Sequence, residues 1–397
     1  MKYLWLGVGI LDAEREDVLR RGGRILSSAV SNDAIVRGLA AHGVKMDSVN
    51  AYRFPAYPRY RRLKTARCAE VTPEASHISV SYWNLPFYNL ISRKKAICKE
   101  VRRWLRERSP DEDVCVFVYS MHSPFLAAAR MVKRRLPGAK IVLIVPDLPQ
   151  YMDVKKSRLK SLLKRIDWLS IKKCLRSVDQ YVLYSRHMAD FLKLRDGTWT
   201  VMEGSYDASL TVSEADIQRE PDRISVMYSG RLDLCYGVKE LLGAMELLDQ
   251  NYELWLTGDG NALPLIREAA ERDARIRYYG FLPSRYELLK KQCEATMLIS
   301  TRNPDEPASA YCFPSKIFEY MASANPVIST RIRGIPDAYF EHLIPLSGIT
   351  PREIADAIRR VAEMPADARA AFGRSAREFV LTQKNNIAQA RKILDFI

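Results

Sequence analysis

The sequence predicts an α/β protein of two doubly wound, Rossmann-like domains facing a central cleft. Three observations carry this. Short apolar runs alternate with amphipathic helical patterns along the 397 residues, as parallel strands covered by helices require. The series is interrupted by a charged stretch at 211–223 and then begins again. Several runs end in glycine-containing turns, where open α/β sheets receive ligands. A composition 47% apolar and 27% charged is globular, and the length suffices for two cores.

Residues 3–10 read as a buried first strand. The run is too short for a secretory leader and meets Asp12, Glu14, Glu16 and Asp17, and no window has the apolar length of a membrane span. Gly22-Gly23 opens a helix through Ala29, Ile35, Val36 and Leu39 to Gly43, and 44–49 alternates as a second strand, making a β-α-β unit. Both glycines let the backbone approach a ligand. The segment 53–67 is a loop, with Pro55 and Pro58, in which Arg59, Arg61, Arg62, Lys64 and Arg67 interleave with Phe54, Tyr57 and Tyr60. That mixture fits an interfacial loop.

A helix at 92–108 carries a stripe of Ile97, Val101, Trp104 and Leu105 among six bases. A second basic helix, from about 155 to 176, places Leu159, Leu162, Leu163, Ile166 and Leu169 on one face, with Lys156, Lys160 and Lys164 beside them. Such helices suit an anionic membrane interface. The plain alternative is that their apolar faces cover the sheet while the bases face water. Between them, a strand at 114–119 ends in Ser120-Met121-His122 and a helix follows to Arg135. The next strand, 141–145, ends in Pro146-Asp147. His122 and Asp147 therefore stand at the carboxyl ends of successive strands, the ligand edge of such a sheet. Asp111-Glu112-Asp113 imitates a metal-binding motif but sits just before a strand and reads as solvated surface; no metal site is expected. Strands at 181–184 and about 201–205 complete a first domain, placed at 1–212.

The second domain, 213–378, runs through strands at 224–228, 254–257, 276–279 and 297–300, with helices at 238–248, up to 272, and at 285–294. Helices fill most of 351–397. The site signal lies here. Ser229-Gly230-Arg231 brings a flexible backbone and a permanent guanidinium to a strand end, suited to a pyrophosphate. Gly258-Asp259-Gly260 and Gly280-Phe281-Leu282-Pro283 are turns at which a ribose or planar base meets main chain. The run 313–328 reads as loop, short helix and buried strand. Ser315 is placed to cap the helix, and Lys316 and Glu319 lie near a helix start that attracts phosphate. Together these residues form a nucleotide-diphosphate site.

Charge is unevenly placed. Residues 1–200 hold 38 Lys and Arg against 19 Asp and Glu, whereas 201–397 hold 24 against 28. The first half is thus suited to a polyanionic partner: a phospholipid surface, a phosphorylated lipid or nucleic acid. Nucleic acid is the weakest of these, since no recognisable motif accompanies the bases. The 7 cysteines form no CxxC pair and read as thiols of a reducing compartment.

Tyr228-Ser229-Gly230-Arg231-Leu232, Tyr236-Gly237, Gly258-Asp259-Gly260, Gly280-Phe281-Leu282-Pro283 and the 313–328 run resemble glycosyltransferase family 4, most closely its exopolysaccharide and capsule-type members. The resemblance implies a GT-B fold and a retaining reaction without a metal cofactor. It implies that a nucleotide-sugar donor is bound mainly by the second domain and the acceptor by the first, where Gly22, Gly23 and Asp147 fall on the acceptor side. It further implies that Arg231 and Lys316 neutralise the diphosphate, that Glu319 holds the ribose hydroxyls and that His122 contacts the transferred sugar. It also implies that the last helix, 379–397, crosses back onto the first domain. Two positions depart from the family pattern. Tyr236 stands where many members have Lys, and Tyr311 where many have Glu, with Asp305 or Glu306 as replacements from the preceding loop.

The expected activity is sugar transfer from a nucleotide-diphosphate donor to a glycan or polyprenyl-diphosphate-linked acceptor for cell-surface polysaccharide, in the cytoplasm at the inner membrane face. Stabilisation of the leaving diphosphate requires no strong protein nucleophile. A nucleotide-sugar epimerase and a catalytically silent nucleotide-sugar sensor are the competing readings.

Overall fold

The computed structural model describes residues 1–21, 25–151, 158–219, 223–282 and 284–397, with 158–161 in backbone only. Gly22, Gly23, Lys156 and Pro283, and the side chains of Leu159 and Lys160, lie outside what is described. The chain divides into two compact units, one of residues 1–204 with 386–397, the other of 205–385.

The first unit runs β1 (Lys2–Gly7), α1 (Asp12–Arg20), α2 (Ser27–Ala41), β2 (Met46–Asn50), β3 (Cys68–Val71), β4 (Ser76–Ser79), α3 (Asn89–Arg106), β5 (Val114–Tyr119), α4 (Ser123–Arg135), β6 (Lys140–Val145), α5 (Arg158–Leu175), β7 (Gln180–Leu183), α6 (His187–Leu192) and β8 (Trp199–Val201). The sheet order is β3-β4-β2-β1-β5-β6-β7-β8, with β3 antiparallel to β4 and the other pairs parallel. The first strand lies inside the sheet, so winding reverses between β1 and β5, and a crevice opens at their carboxyl ends. β5 is buried along its whole length and β6 nearly so, which is why both read as unbroken apolar runs. Trp5 anchors α2 to the sheet: its indole donates to Asn32 Oδ1 at 2.9 Å.

Two elements here were not anticipated. The acidic residues after β1 form α1, in which Glu14 is buried and reaches back to the Leu11 amide at 3.4 Å. Residues 68–79 form the β3–β4 hairpin, of which β3 is largely exposed and so lacks an apolar alternation. The two basic helices behave oppositely. On α3 the stripe of Ile97, Val101, Trp104 and Leu105 is buried, so the plain alternative holds there. On α5, Ile171 and Cys174 face inward while Leu162, Leu163, Ile166 and Leu169 are exposed.

The second unit runs β9 (Ile224–Arg231), α7 (Val238–Met245), β10 (Tyr252–Asp259), α8 (Leu263–Arg272), β11 (Ile276–Tyr278), α9 (Arg285–Glu294), β12 (Met297–Ser300), α10 (Lys316–Ala322), β13 (Val327–Thr330), β14 (Ile344–Leu346), α11 (Pro351–Ala362) and α12 (Ala366–Gln383). Its sheet is parallel throughout, in the order β11-β10-β9-β12-β13-β14, which places the switch of winding between β9 and β12. One face is covered by Leu241, Ile266, Ile354 and Ile358. The other is covered by an aromatic group in which Phe313 stacks on Phe318 at 4.7 Å and Phe379 meets Tyr339 edge-on at 5.2 Å.

This packing places the borders of the units. Tyr206 is buried in the aromatic group and bonds the Lys384 carbonyl, and Val212 packs on Leu289 and Cys293. The second unit therefore begins at 205, ahead of the 212/213 boundary read from the charged stretch. Phe379 and Val380 are core residues of the same unit, so the chain leaves it after 385. The last helix, α13 (Asn386–Phe396), packs on α2 in the first unit. Gly38 permits this approach, because a Cβ there would come within 2.1 Å of the Asn386 carbonyl oxygen. Gln180 Nε2 donates to the Phe396 carbonyl at 2.9 Å and holds the far end.

Candidate functional site

The carboxyl edge of the second sheet gathers nearly all the residues singled out there. Gly230, Arg231, Gly258 and Asp259 are not loop residues, as the turns implied, but the last rungs of β9 and β10, with Gly230 beside Gly258 and Arg231 beside Asp259. Both glycines have positive φ, and a Cβ on Gly258 would fall 1.8 Å from the Gly230 carbonyl oxygen. Main chain rather than side chain therefore forms this surface. The Gly280 carbonyl accepts from Gly258 N at 2.8 Å and from Thr257 Oγ1 at 2.7 Å, tying the next turn to β10. Beyond it Phe281 is exposed and Leu282 half-buried.

α10 is clamped to the end of β9 by a buried polar network. Tyr320 Oη accepts from Ser229 N at 2.7 Å and donates to the Ser229 carbonyl at 3.1 Å, while Gln292 Nε2 donates to Ser229 Oγ at 3.1 Å. One turn earlier, this sets the Lys316 ammonium 3.6 Å from the centre of the Tyr228 ring. The Tyr228 hydroxyl in turn donates to the Arg231 carbonyl at 3.1 Å. Burial, then repulsion from Arg302, pushes the Lys316 ammonium down to about 7, against an opposing pull from Glu319. Ser315 is exposed and its side chain makes no cap, because its own backbone is already helical.

The other two charges are held by neighbours. Arg231 is mostly exposed, and its Nε and Nη2 donate to Asp233 Oδ2 at 2.9 and 2.5 Å. Glu319 Oε1 accepts from Arg285 Nη2 at 3.3 Å. Arg302, just past β12 at the switch point, was not singled out from sequence. Its guanidinium lies 5.4 Å from the Tyr236 ring, donates to Ser309 Oγ at 3.1 Å, and has Glu306 Oε2 at 3.9 Å. Of the two acids considered for the position of Tyr311, Glu306 acts electrostatically on Cys235 beyond β9, whereas Asp305 is exposed.

His122 and Asp147 belong to the first unit, at the carboxyl ends of β5 and β6. His122 is half-buried, and Arg53 Nη1 lies 3.4 Å from its Nε2. A guanidinium only donates, so Nε2 accepts and the proton sits on Nδ1. Burial, then the charges of Arg53 and Arg93, keep this imidazole well below its usual range and neutral at pH 7. Asp147 is exposed. In the Asp111–Asp113 turn, Glu112 pairs with Arg108 at 4.0 Å. Among the described residues no group of three or more His, Cys, Asp or Glu side chains is placed to hold a metal ion, and no helix is long and apolar enough to cross a membrane.

Residues 223–364 match a family profile described as glycosyl transferases group 1. No curated protein matches the chain by sequence. Solved structures match along its whole length. HepE of Anabaena, solved in complex with UDP, is 13% identical over 100% of this chain and 99% of its own, with a TM-score of 0.68. Sucrose-phosphate synthase from Thermosynechococcus elongatus is 16% identical over 100% and 98%, with a TM-score of 0.71. A UDP-forming trehalose-phosphate synthase from Burkholderia xenovorans is 12% identical over 100% and 98%, with a TM-score of 0.68. The fold is GT-B, as the sequence resemblance implied.

Proposed function

We propose that this protein is a retaining glycosyltransferase of family 4 type, moving a sugar from a nucleotide-diphosphate donor to a glycan or lipid-linked acceptor in cell-surface polysaccharide synthesis. The observation that carries the reading is the clamping of Lys316 over the end of β9 beside Arg231, inside the segment that matches group 1 glycosyl transferases. A diphosphate arriving there meets a lysine whose charge burial has weakened and restores it. The same two cations then stabilise the charge that grows on the leaving diphosphate. Glu319 exchanges Arg285 for the ribose hydroxyls, and the exposed Phe281 ring offers a face to the base. Arg302 supplies a positive charge beside Tyr236, where the family's usual lysine is missing, and Glu306 takes the place left by Tyr311. His122, neutral, binds a sugar hydroxyl. No step requires a metal.

The working location is the cytoplasmic face of the inner membrane. Leu162, Ile166 and Leu169 on α5 are 54%, 57% and 62% exposed, on a helix that also presents Arg165, Lys172 and Lys173 to solvent. An apolar stripe flanked by bases suits anionic lipid. Replacing Leu162, Ile166 and Leu169 together by Gln should leave the melting temperature within about 2 °C, since exposed positions contribute little. Binding to phosphatidylglycerol vesicles, followed by cosedimentation, should fall at least tenfold. Unaltered cosedimentation would remove the membrane from the proposal.

The activity is tested by incubating the protein with UDP-, GDP- and ADP-sugars, starting with UDP-glucose because HepE of Anabaena is solved in complex with it. Nucleotide release is measured with and without membrane lipid extract. Lipid-dependent release from one donor, lost in Glu319→Ala and Arg231→Ala, is the expected result. Donor binding without release under any condition would favour a sensor, the reading that Tyr236 and Tyr311 support. Release and sugar inversion with no acceptor would favour an epimerase.

A further inference from the structure

We propose that the first unit contains a phosphate subsite formed by Arg53 and Arg93 beside His122, so that the acceptor is a phosphorylated molecule. Arg53 lies three residues beyond β2 and His122 three beyond β5, so both stand at the carboxyl edge of the sheet, on either side of β1. Arg93, in the first turns of α3, is close enough for its charge to act on the same imidazole.

Arg93 is 9% exposed, and its Nε is buried without a hydrogen-bond partner. A buried guanidinium is usually satisfied by a carboxylate. Here, among the described residues, neither Arg93 nor Arg53 has a carboxylate within ion-pair distance. Burial lowers the Arg93 pKa to about 10, with Arg53 adding to the fall; the Tyr82 hydroxyl, which also hydrogen-bonds the side chain, and Asp167 of α5 oppose it. Arg53 and Arg93 instead repel each other, and both act on His122. Arg53 approaches the imidazole to 3.4 Å, where it is accepted only because His122 is neutral. Two like charges are thus drawn to one point, one of them in a desolvated position with an unused donor.

A tetrahedral dianion answers this arrangement. Its oxygens accept from the exposed guanidinium of Arg53 and from the guanidinium of Arg93, and its charge removes the repulsion. A sugar hydroxyl would satisfy one donor but not the charge. The phosphate is carried either by a lipid or by a soluble monoester, and the chemistry is common to both. The inference rests on the glycosyltransferase reading only in calling the ligand an acceptor, because binding is measured apart from turnover.

The test is calorimetric titration of the full chain, with UDP at saturation, using inorganic phosphate, glycerol phosphate and citronellyl monophosphate below its micelle concentration. Saturable binding is expected, with Kd raised tenfold or more in Arg53→Gln and Arg93→Met, while UDP affinity stays within twofold of the parent. Tighter binding of citronellyl phosphate than of the other two assigns the phosphate to a lipid, and equal binding assigns it to a soluble monoester. Should Arg93→Met fail to fold, Arg53→Gln decides, since that side chain is on the surface. The proposal is overturned if none of the three probes saturates, if Arg53→Gln leaves their affinity unchanged, or if saturating UDP abolishes their binding. Phosphate binding without UDP binding would sink the donor reading and leave this subsite standing.

Discussion

Lys316 carries a direct pH signature. Its folded pKa, about 7, lies below the usual lysine value. Between these two pH values the unfolded chain binds a proton that the folded chain does not, so stability rises with pH across that window. The penalty for holding the ammonium is complete below pH 7 and disappears as the lysine loses its proton. In Lys316→Met the stability gained between pH 7 and pH 10, followed by chemical denaturation, should be smaller than in the parent. Equal gains would refute the assignment. On the proposed function a donor diphosphate reverses the shift, so binding of the nucleoside diphosphate that the donor screen identifies should take up a proton at pH 8, visible as a dependence of the titration enthalpy on buffer ionisation. Lys316 and Glu319 were readable because charged residues near a loop-to-helix junction form a local pattern. Arg302, Arg285 and Asp233 were not, since what gives them meaning is the neighbour each meets: the Tyr236 ring, Glu319 and Arg231.

Among elements, α10 packs through Ile317, Phe318 and Met321, but its polar link to the end of β9 runs through a single hydroxyl, that of Tyr320. Tyr320→Phe keeps the ring but leaves the buried Ser229 amide without its acceptor, which costs about 1–3 kcal/mol. Thermal unfolding should shift down accordingly, and, on the proposed function, affinity for the donor's nucleoside diphosphate should fall as Lys316 loses its position over Tyr228. Wild-type affinity for that nucleotide in this variant would show that the clamp does not place the lysine. Strands buried on all sides were the legible ones: β5 and β12 fall where their apolar runs place them. α1 and the β3–β4 hairpin escaped because an exposed helix and an exposed strand carry no apolar period. For α5 the stripe was legible, but whether it faced the sheet or solvent is decided by what α4 already covers, which is tertiary information.

At the scale of the whole chain, the doubly wound character of both sheets followed from alternation, while their borders did not. A charged stretch marked the linker by composition, yet Tyr206 and Val212 inside or before it are core residues of the second unit. The first unit is finished by α13, whose Ala390 and Ile393 are buried. Deleting residues 386–397 uncovers α2 and removes side chains worth about 1.5–3 kcal/mol each for the larger ones. That is a large share of the ~5–15 kcal/mol by which a domain is stable. The first unit of the truncated chain should melt several degrees earlier in a calorimetric scan, with the second unit unaffected. An unchanged profile would mean that α13 is only an ornament of the fold.

The return of α13 also fixes an order of events during synthesis. The second unit is one contiguous stretch, 205–385, and can complete its core once that stretch has left the ribosome. The first unit, although translated earlier, waits with the α2 face uncovered until the whole of the second has emerged. The half of the protein made first is therefore the half completed last, and a ribosome stalled anywhere in the second unit holds a nascent chain whose α2 face is still uncovered and open to chaperones.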